Sequence, residues 1–464
     1  MGGLDLHLDL HAGDGRQRAL EMALREAVRS GRLRAGTRLP GSRSLAADLG
    51  LSRGTVVQAY SQLIAEGWLL GKPGSGTVAS HVPAPAQPAP APPAPSIARP
   101  SAIDLRPGRP DLDTFPRAVW AAAVRRALAG SSTALDYGEP AGLPVLRAAL
   151  AEHVSRTRGV RASAETVIVT AGFSQALALL GRAVRGLGMS DAAVEDPGFA
   201  RHRELLRAAG LRLSPLPVDA EGPDPAGLPA RPALVLLTPA HQHPCGVVLA
   251  PARRAAFVDR ARRDGAILVE DDYDGEFRYD GQPVGAMQPL DPDRVVFGGS
   301  ASKTLAPGLR LAWLVVPPAL RQPLLDAVVD TGTTVPVIEQ LALADLIRRG
   351  DLDRHVRRVR RAYRERREQL AARLADVSAP PLAGVAAGLH ALLPLESADR
   401  EHRLVAAARR AGVQLHGLHT AGYWHLPDPE RQAALVLGYA TPPAHAWRRS
   451  LDALAALLSG TPAG

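Results

Sequence analysis

The chain has 464 residues, 46% of them hydrophobic and 22% charged, which is long enough for two or three domains around sizeable cores. The single cysteine, Cys245, excludes an intrachain disulfide framework; no apolar run reaches the roughly 18 residues that cross a bilayer, and Met1-Gly2-Gly3-Leu4-Asp5 lacks the features of a secretory signal, so a cytoplasmic protein without a membrane partner is expected. The net charge of +9 is spread along the whole sequence and favours polyanions without by itself pointing to nucleic acid.

The first 80 residues predict three helices and a hairpin. A helix over about Arg16 to Ser30 puts Leu20, Leu24, Ala27 and Val28 on one face and stops at Gly31. Pro40-Gly41 forms a turn, and Ser42 caps a short helix with Leu45, Ala46 and Leu49. After Gly50-Leu51, Ser52 caps a third helix that turns Val56, Tyr60, Leu63 and Ile64 inward and ends at Gly67. Two short helices joined by a tight turn form a helix-turn-helix pattern. Trp68-Leu69-Leu70 and Thr77-Val78-Ala79 flank Gly71-Lys72-Pro73-Gly74-Ser75-Gly76 as a strand, turn and strand.

In a helix-turn-helix the second helix enters the major groove by its N-terminus. That places Arg53 to read guanine, with Ser52 and Thr55 on phosphate. Arg38 and Arg43 flank the preceding helix as backbone contacts, and Gly74 and Gly76 let the hairpin approach the duplex closely. Residues 10–80 resemble the winged helix of the GntR family of bacterial regulators. The resemblance rests on Arg38-Leu39-Pro40-Gly41-Ser42-Arg43-Ser44-Leu45-Ala46, Leu51-Ser52-Arg53-Gly54-Thr55-Val56 and Gly74-Ser75-Gly76-Thr77. It implies operator DNA as a partner.

Residues 81–101 alternate proline and alanine and read as a semi-rigid linker. Beyond it, apolar strands such as Thr166–Thr170, Ala233–Leu237, Ala266–Val269 and Arg294–Phe297 alternate with helices, the pattern of an α/β domain whose parallel sheet is covered on both faces. From about Arg357 an Arg-rich helix, most simply a solvated face, leads into a smaller lobe over about 357–460, so residues 102–464 form one effector domain.

Of 55 basic residues only Lys72 and Lys303 are lysine; the other 53 are arginine. A lysine amine can lose its proton and condense with an aldehyde, whereas arginine stays protonated. Lys303 therefore stands out, in Ser300-Ala301-Ser302-Lys303-Thr304-Leu305-Ala306-Pro307-Gly308-Leu309-Arg310. Pyridoxal 5'-phosphate needs such a lysine, an acid for its pyridine nitrogen, a donor to its phenolate oxygen, a stacking ring and a phosphate cradle. Asp271 and Tyr273 follow a buried strand and offer the acid and the donor. Phe199 offers the ring. The strand-to-helix turn at Gly172, Phe173 and Ser174, with Ser300, Ser302 and Arg310, offers the cradle. Arg201 is the expected partner of an effector carboxylate. His241-Gln242-His243-Pro244-Cys245 also looks like metal ligands, but three ligands from one such short segment would strain a tetrahedral site, and no metal is expected.

About 102–460 resembles the fold-type I aminotransferases, through Glu195-Asp196-Pro197-Gly198-Phe199, Glu270-Asp271-Asp272-Tyr273-Asp274-Gly275-Glu276-Phe277 and the Lys303 segment. Joined to a GntR winged helix, the chain resembles the MocR subfamily of transcriptional regulators. The resemblance implies pyridoxal phosphate held as an internal aldimine on Lys303, a head-to-tail homodimer, and a small amine, an amino acid or the cofactor itself as effector. Two positions depart from the aminotransferase pattern. His243 stands in His243-Pro244-Cys245-Gly246 where those enzymes carry Asn, so it is read as an effector contact. Leu435–Thr441 lacks their C-terminal carboxylate-binding Arg. A regulator with at most slow half-reactions is therefore expected. The alternatives are a working aminotransferase that also binds DNA, and a binding protein that has lost the cofactor.

Overall fold

The computed structural model describes residues 15–72, 76–81, 103–130, 135–136, 138–279, 284–426 and 428–460. The linker, apart from His81, and Gly74 lie outside them. The chain falls into two compact units, Met1–Ala98 and Arg99–Gly464.

In the first unit, α1 (Arg16–Arg29), α2 (Ser42–Leu49) and α3 (Arg53–Ala65) precede an antiparallel pair, β1 (Leu69–Lys72) and β2 (Gly76–Ala79), with Leu69 opposite Ala79. Leu20 and Leu24 of α1 meet Val56, Ala59 and Leu63 of α3, and Leu69 closes the same core. Ser52 caps α3 by accepting from the Thr55 amide at 3.1 Å. Ser42 does not cap α2: Gly41, still extended, takes that position and Ser42 is already helical. Ile64 is exposed rather than inward, because successive helical residues point about 100° apart and Leu63 takes the inward face.

The second unit is built on an eight-stranded sheet in the order β4-β11-β10-β9-β8-β5-β6-β7. The elements, in chain order, are β3 (Ile103–Asp104), α4 (Arg117–Leu128), α5 (Pro144–Arg158), β4 (Val167–Thr170), α6 (Phe173–Gly186), β5 (Asp191–Asp196), α7 (Ala200–Ala208), β6 (Arg212–Asp219) and β7 (Gly222–Pro223). Then follow β8 (Leu234–Leu237), α8 (Pro251–Asp264), β9 (Ile267–Asp272), β10 (Val295–Ser300), α9 (Ala301–Thr304), β11 (Ala312–Val315), α10 (Pro318–Thr331), α11 (Val337–Arg348) and α12 (Asp351–Asp376).

The apolar strand residues alternate between two buried faces. Ile168, Leu236, Val269 and Leu314 meet α6 and α10, while Val169, Phe297, Trp313 and Val315 meet α5 and α11. The sheet is mixed rather than wholly parallel. Only residues 301–311 separate β10 from β11, too few for a crossover, so β11 returns antiparallel to both β10 and β4. Lys303 lies in that return. Leu180 of α6 is fully buried in the first core. Leu180→Ala is expected to cost about 2–5 kcal/mol in chemical denaturation.

The small lobe pairs β12 (His390–Leu395), β15 (Ala433–Gly438) and β14 (His416–Gly417), backed by α13 (Ala398–Arg410) and α14 (Trp447–Ser459). The long helix starts at Asp351, after a left-handed Gly350, and not near Arg357. Its Leu352 and Val356 belong to the large core and its Val359, Tyr363, Leu370 and Leu374 to the small-lobe core, so one helix serves both. Arg357, Arg358, Arg361 and Arg364 lie on its exposed side. At the other end of the unit, β3 pairs in parallel with β13 (Val413–Gln414). A buried Arg366–Asp111 ion pair at 2.7 Å fixes the chain just beyond. Residues 106–109 are thereby held between the lobes.

Candidate cofactor and effector site

Strand β9 ends in acids and β10 runs straight into the Lys303 helix; β9 and β10 are parallel neighbours, with Gly298 opposite Asp271. Asp271, Tyr273, Ser300, Ser302, Lys303 and Arg310 therefore converge at the carboxyl ends of the strands, where open α/β sheets bind ligands. With Phe173, Ser174, Phe199 and His243 they line one cavity of about 410 Å³, a size suited to a small ligand.

The Lys303 ammonium group donates to the Gly108 carbonyl at 2.5 Å. Burial lowers its pKa below the ordinary lysine value, and Asp271 and Asp274 oppose that shift. Asp271 is 6% exposed, and burial pushes its carboxyl well above the usual carboxylate range, with Lys303 pulling the other way. The Tyr273 hydroxyl donates to the His241 carbonyl at 2.9 Å.

Helix α6 begins at this cavity. Gly172 sits just behind the wall at φ 89°, and a Cβ there would lie 2.6 Å from Arg310 Nη2. Only glycine lets the guanidinium lie across the turn, where it donates to the Ala171 carbonyl at 2.5 Å. The first amides of α6, with Phe173 and Ser174, thus share the cavity with one cation. Ser300 caps α9: its hydroxyl accepts from the Ser302 amide at 3.0 Å and donates to the Ser302 hydroxyl at 2.8 Å. Ser302 is left as the freer of the two.

Phe199 stands at the exposed edge of the cavity, edge-on to His202 at 5.0 Å and to His243 at 5.7 Å. His202 also packs against Phe173 at 5.5 Å, and its Nε2 lies 3.8 Å from Asp271 Oδ2. Burial lowers its pKa to about 3, so it is a neutral ring. Sequence reading missed His202: a lone histidine three residues past Phe199 carries no motif, and only the first turn of α7 brings it inward.

Arg201 is not brought to the cavity. Its side chain is 56% exposed and pairs with Glu204 at 2.8 Å, because the turn of α7 that points His202 inward points Arg201 to solvent. Arg203 reaches the wall instead, but it is spent on backbone carbonyls of Gly198, Gly422, Tyr423 and Trp424. Besides Arg310, the cavity is lined by Arg109, 62% exposed and 3.9 Å from Asp104. It lies far upstream of every motif of the aminotransferase-like unit and arrives through the pairing of β3 with the small lobe. His416 and Tyr423 come from that lobe as well.

In the first unit, Arg53 opens α3, and Arg38 and Arg43 are exposed. Arg38 crosses to the hairpin: it bridges Val78, and a Cβ on Gly76 would lie 3.4 Å from its Nε. Ser52 and Thr55 are bonded to each other, hydroxyl to hydroxyl at 2.8 Å, as part of the α3 cap.

Residues 100–415 match the family of class I and II aminotransferases, and residues 16–78 match the bacterial regulatory proteins of the gntR family. The chain is 35% identical over 461 residues to the probable rhizopine catabolism regulatory protein MocR of Rhizobium meliloti, covering 94% of this chain and 92% of that one. It is also 35% identical to the pyridoxine biosynthesis transcriptional regulator PdxR of Corynebacterium glutamicum, over 85% of this chain and 86% of that one. Among solved structures, the α-aminoadipate aminotransferase LysN of Thermus thermophilus, complexed with N-(5'-phosphopyridoxyl)-L-leucine, superposes with a TM-score of 0.67 at 26% identity, covering 77% of this chain and 92% of LysN. With a GntR helix-turn-helix unit ahead of an aminotransferase fold, and a near full-length match to MocR, the chain belongs to the MocR subfamily of GntR-family transcriptional regulators.

Proposed function

We propose that the chain is a cytoplasmic, head-to-tail homodimeric regulator whose winged helix binds operator DNA and whose second unit holds pyridoxal 5'-phosphate on Lys303. The effector is the cofactor itself or a small amine or amino acid. The observation that carries this reading is that Lys303, Asp271 and the Arg310-backed start of α6 line one cavity.

The residues fit the cofactor. Its aldehyde would supply reversible condensation with primary amines. Desolvation favours the neutral, nucleophilic form of the Lys303 amine. Asp271 would take the ring nitrogen, and a cation placed there would draw its carboxyl back toward ionisation. Phe199 and the neutral His202 would border the ring, and Tyr273 would offer its hydroxyl to the phenolate oxygen. The α6 amides, Ser302 and Arg310 would hold the phosphate. His243 and Arg109 would then face an effector.

An effector shifts operator binding only by its differential affinity for the two states. Operator affinity measured with and without cofactor and amine should differ by about 5–150-fold. No change with either ligand would defeat the reading. Arg109→Ala should weaken the response to a carboxylate-bearing effector about tenfold or more, and Arg201→Ala should leave it unchanged, as read by titration of the cofactor spectrum. The aminotransferase fold keeps a second reading in view, a working transaminase. Sustained turnover of a common amino acid with a keto acceptor would establish it.

A further inference from the structure

Three buried side chains from three separate segments meet behind the cavity wall. His241 follows β8, Asp274 follows β9 and His390 opens β12 of the small lobe. They are 2%, 3% and 2% exposed, and their available ligand atoms lie within 4.8 Å of one another. His241 Nδ1 is 2.8 Å from Asp274 Oδ2.

His390 supplies the second observation. Its Nε2 is buried with no hydrogen-bond partner among the described residues. Buried polar atoms in packed interiors are nearly always satisfied, so a bare one calls for an explanation. A buried imidazole nitrogen without a protein partner, facing a second imidazole and a carboxylate, is available to a metal ion. The wall beside the group is Gly388, at φ 71°; any side chain there would overlap Asp274 and His241.

We infer that His241, Asp274 and His390 form a site for a divalent first-row transition ion, zinc before others. Two imidazoles and a carboxylate are a fitting donor set, and zinc accepts the geometry it is given. Bonds of about 2.0–2.1 Å in a tetrahedron place ligand atoms roughly 3.4 Å apart, so the His241–Asp274 pair at 2.8 Å opens a little while the wider separations, up to 4.8 Å, close. The proton between His241 Nδ1 and Asp274 moves to His241 Nε2 on binding, and no redox partner is required. The strain expected of His241-Gln242-His243-Pro244-Cys245 does not arise, because only His241 comes from that segment. An ion here would pin the first strand of the small lobe to two loops of the large sheet. It would do so beside Tyr273, whose hydroxyl bonds the His241 carbonyl, and beside His243, whose ring lies 4.8 Å from that of His390.

The test uses the full-length, untagged chain, stripped with a chelator, reloaded with zinc and desalted. About one equivalent of zinc should remain per chain, and cobalt(II) in its place should give the visible bands of a four-coordinate ion. His390→Gln and Asp274→Asn should each weaken binding about tenfold or more, whereas Cys245→Ala should not. Zinc-edge X-ray absorption on the unaltered chain, which does not depend on any variant folding, should show nitrogen and oxygen neighbours with imidazole scattering and no sulfur. Three results would overturn the site: under about a tenth of an equivalent in the unaltered chain, a sulfur ligand, or full zinc content in both variants.

Discussion

Lys303→Ala should leave the protein with no covalently held cofactor and none of the visible absorbance of the loaded chain. The effect is all-or-none because the reaction needs an amine, and the sequence offers only two lysines. Lys72 lies on β1 of the other unit. Borohydride reduction followed by peptide mapping should put the whole label on Lys303, and label on Lys72 would end the assignment. Lys303→Arg should behave like the alanine variant, since a guanidinium keeps its proton. The variant should still fold: the side chain makes one hydrogen bond, to Gly108, worth about 1 kcal/mol. The phosphate contacts proposed for α6 and Arg310 do not involve the lysine, so weak, non-covalent binding of the cofactor should survive. That residue of binding separates loss of the imine lysine from collapse of the cavity.

Arg53→Ala should cost about 1–3 kcal/mol on the specific operator, roughly 5–150-fold in Kd, with little change on unrelated DNA. Arg53 is the first residue of α3, exposed, on a helix whose cap is already satisfied by Ser52 and Thr55, so its removal should not disturb the fold. Arg38→Ala should act differently. It touches the hairpin rather than the head of α3, so it should weaken all sequences alike and reduce the slope of log K against log salt by about one. Deleting the first unit should remove sequence-specific binding altogether, a loss of about a thousandfold or more. A chain of residues 100–464 that binds the operator as tightly as the whole protein would overturn the assignment of DNA binding to the winged helix.

Much of both units was legible in the residues. The apolar spacing of α1 and α3 gave their buried faces, since Leu20, Leu24, Val56 and Leu63 all lie in one core. The continuous apolar strands gave a sheet buried on both sides. The place of Lys303 in the cavity was legible because lysine is otherwise almost absent from the chain. Errors fell where neighbours in sequence compete for one direction. Arg201 and His202 are adjacent, and the inward face of α7 takes His202 and Arg203 while Arg201 is left to solvent. Ile64 lost the inward face to Leu63 in the same way.

What the sequence determined by itself was whatever depends on local chemistry: helix faces, turn positions, the strand-to-helix start of α6 and the lone lysine of the second unit. What only the tertiary structure decided was which distant groups share a space. The antiparallel return of β11 was fixed by the short Lys303 segment, yet its consequence, Arg310 lying across Gly172, needed the sheet order. Arg109 reaches the cavity because β3 pairs with β13, more than 300 residues away along the chain. His241, Asp274 and His390 meet because two loops of one sheet face the edge of another. Such meetings are set by packing between elements, which no short stretch of sequence encodes, because burial rewards the whole arrangement and not any one residue.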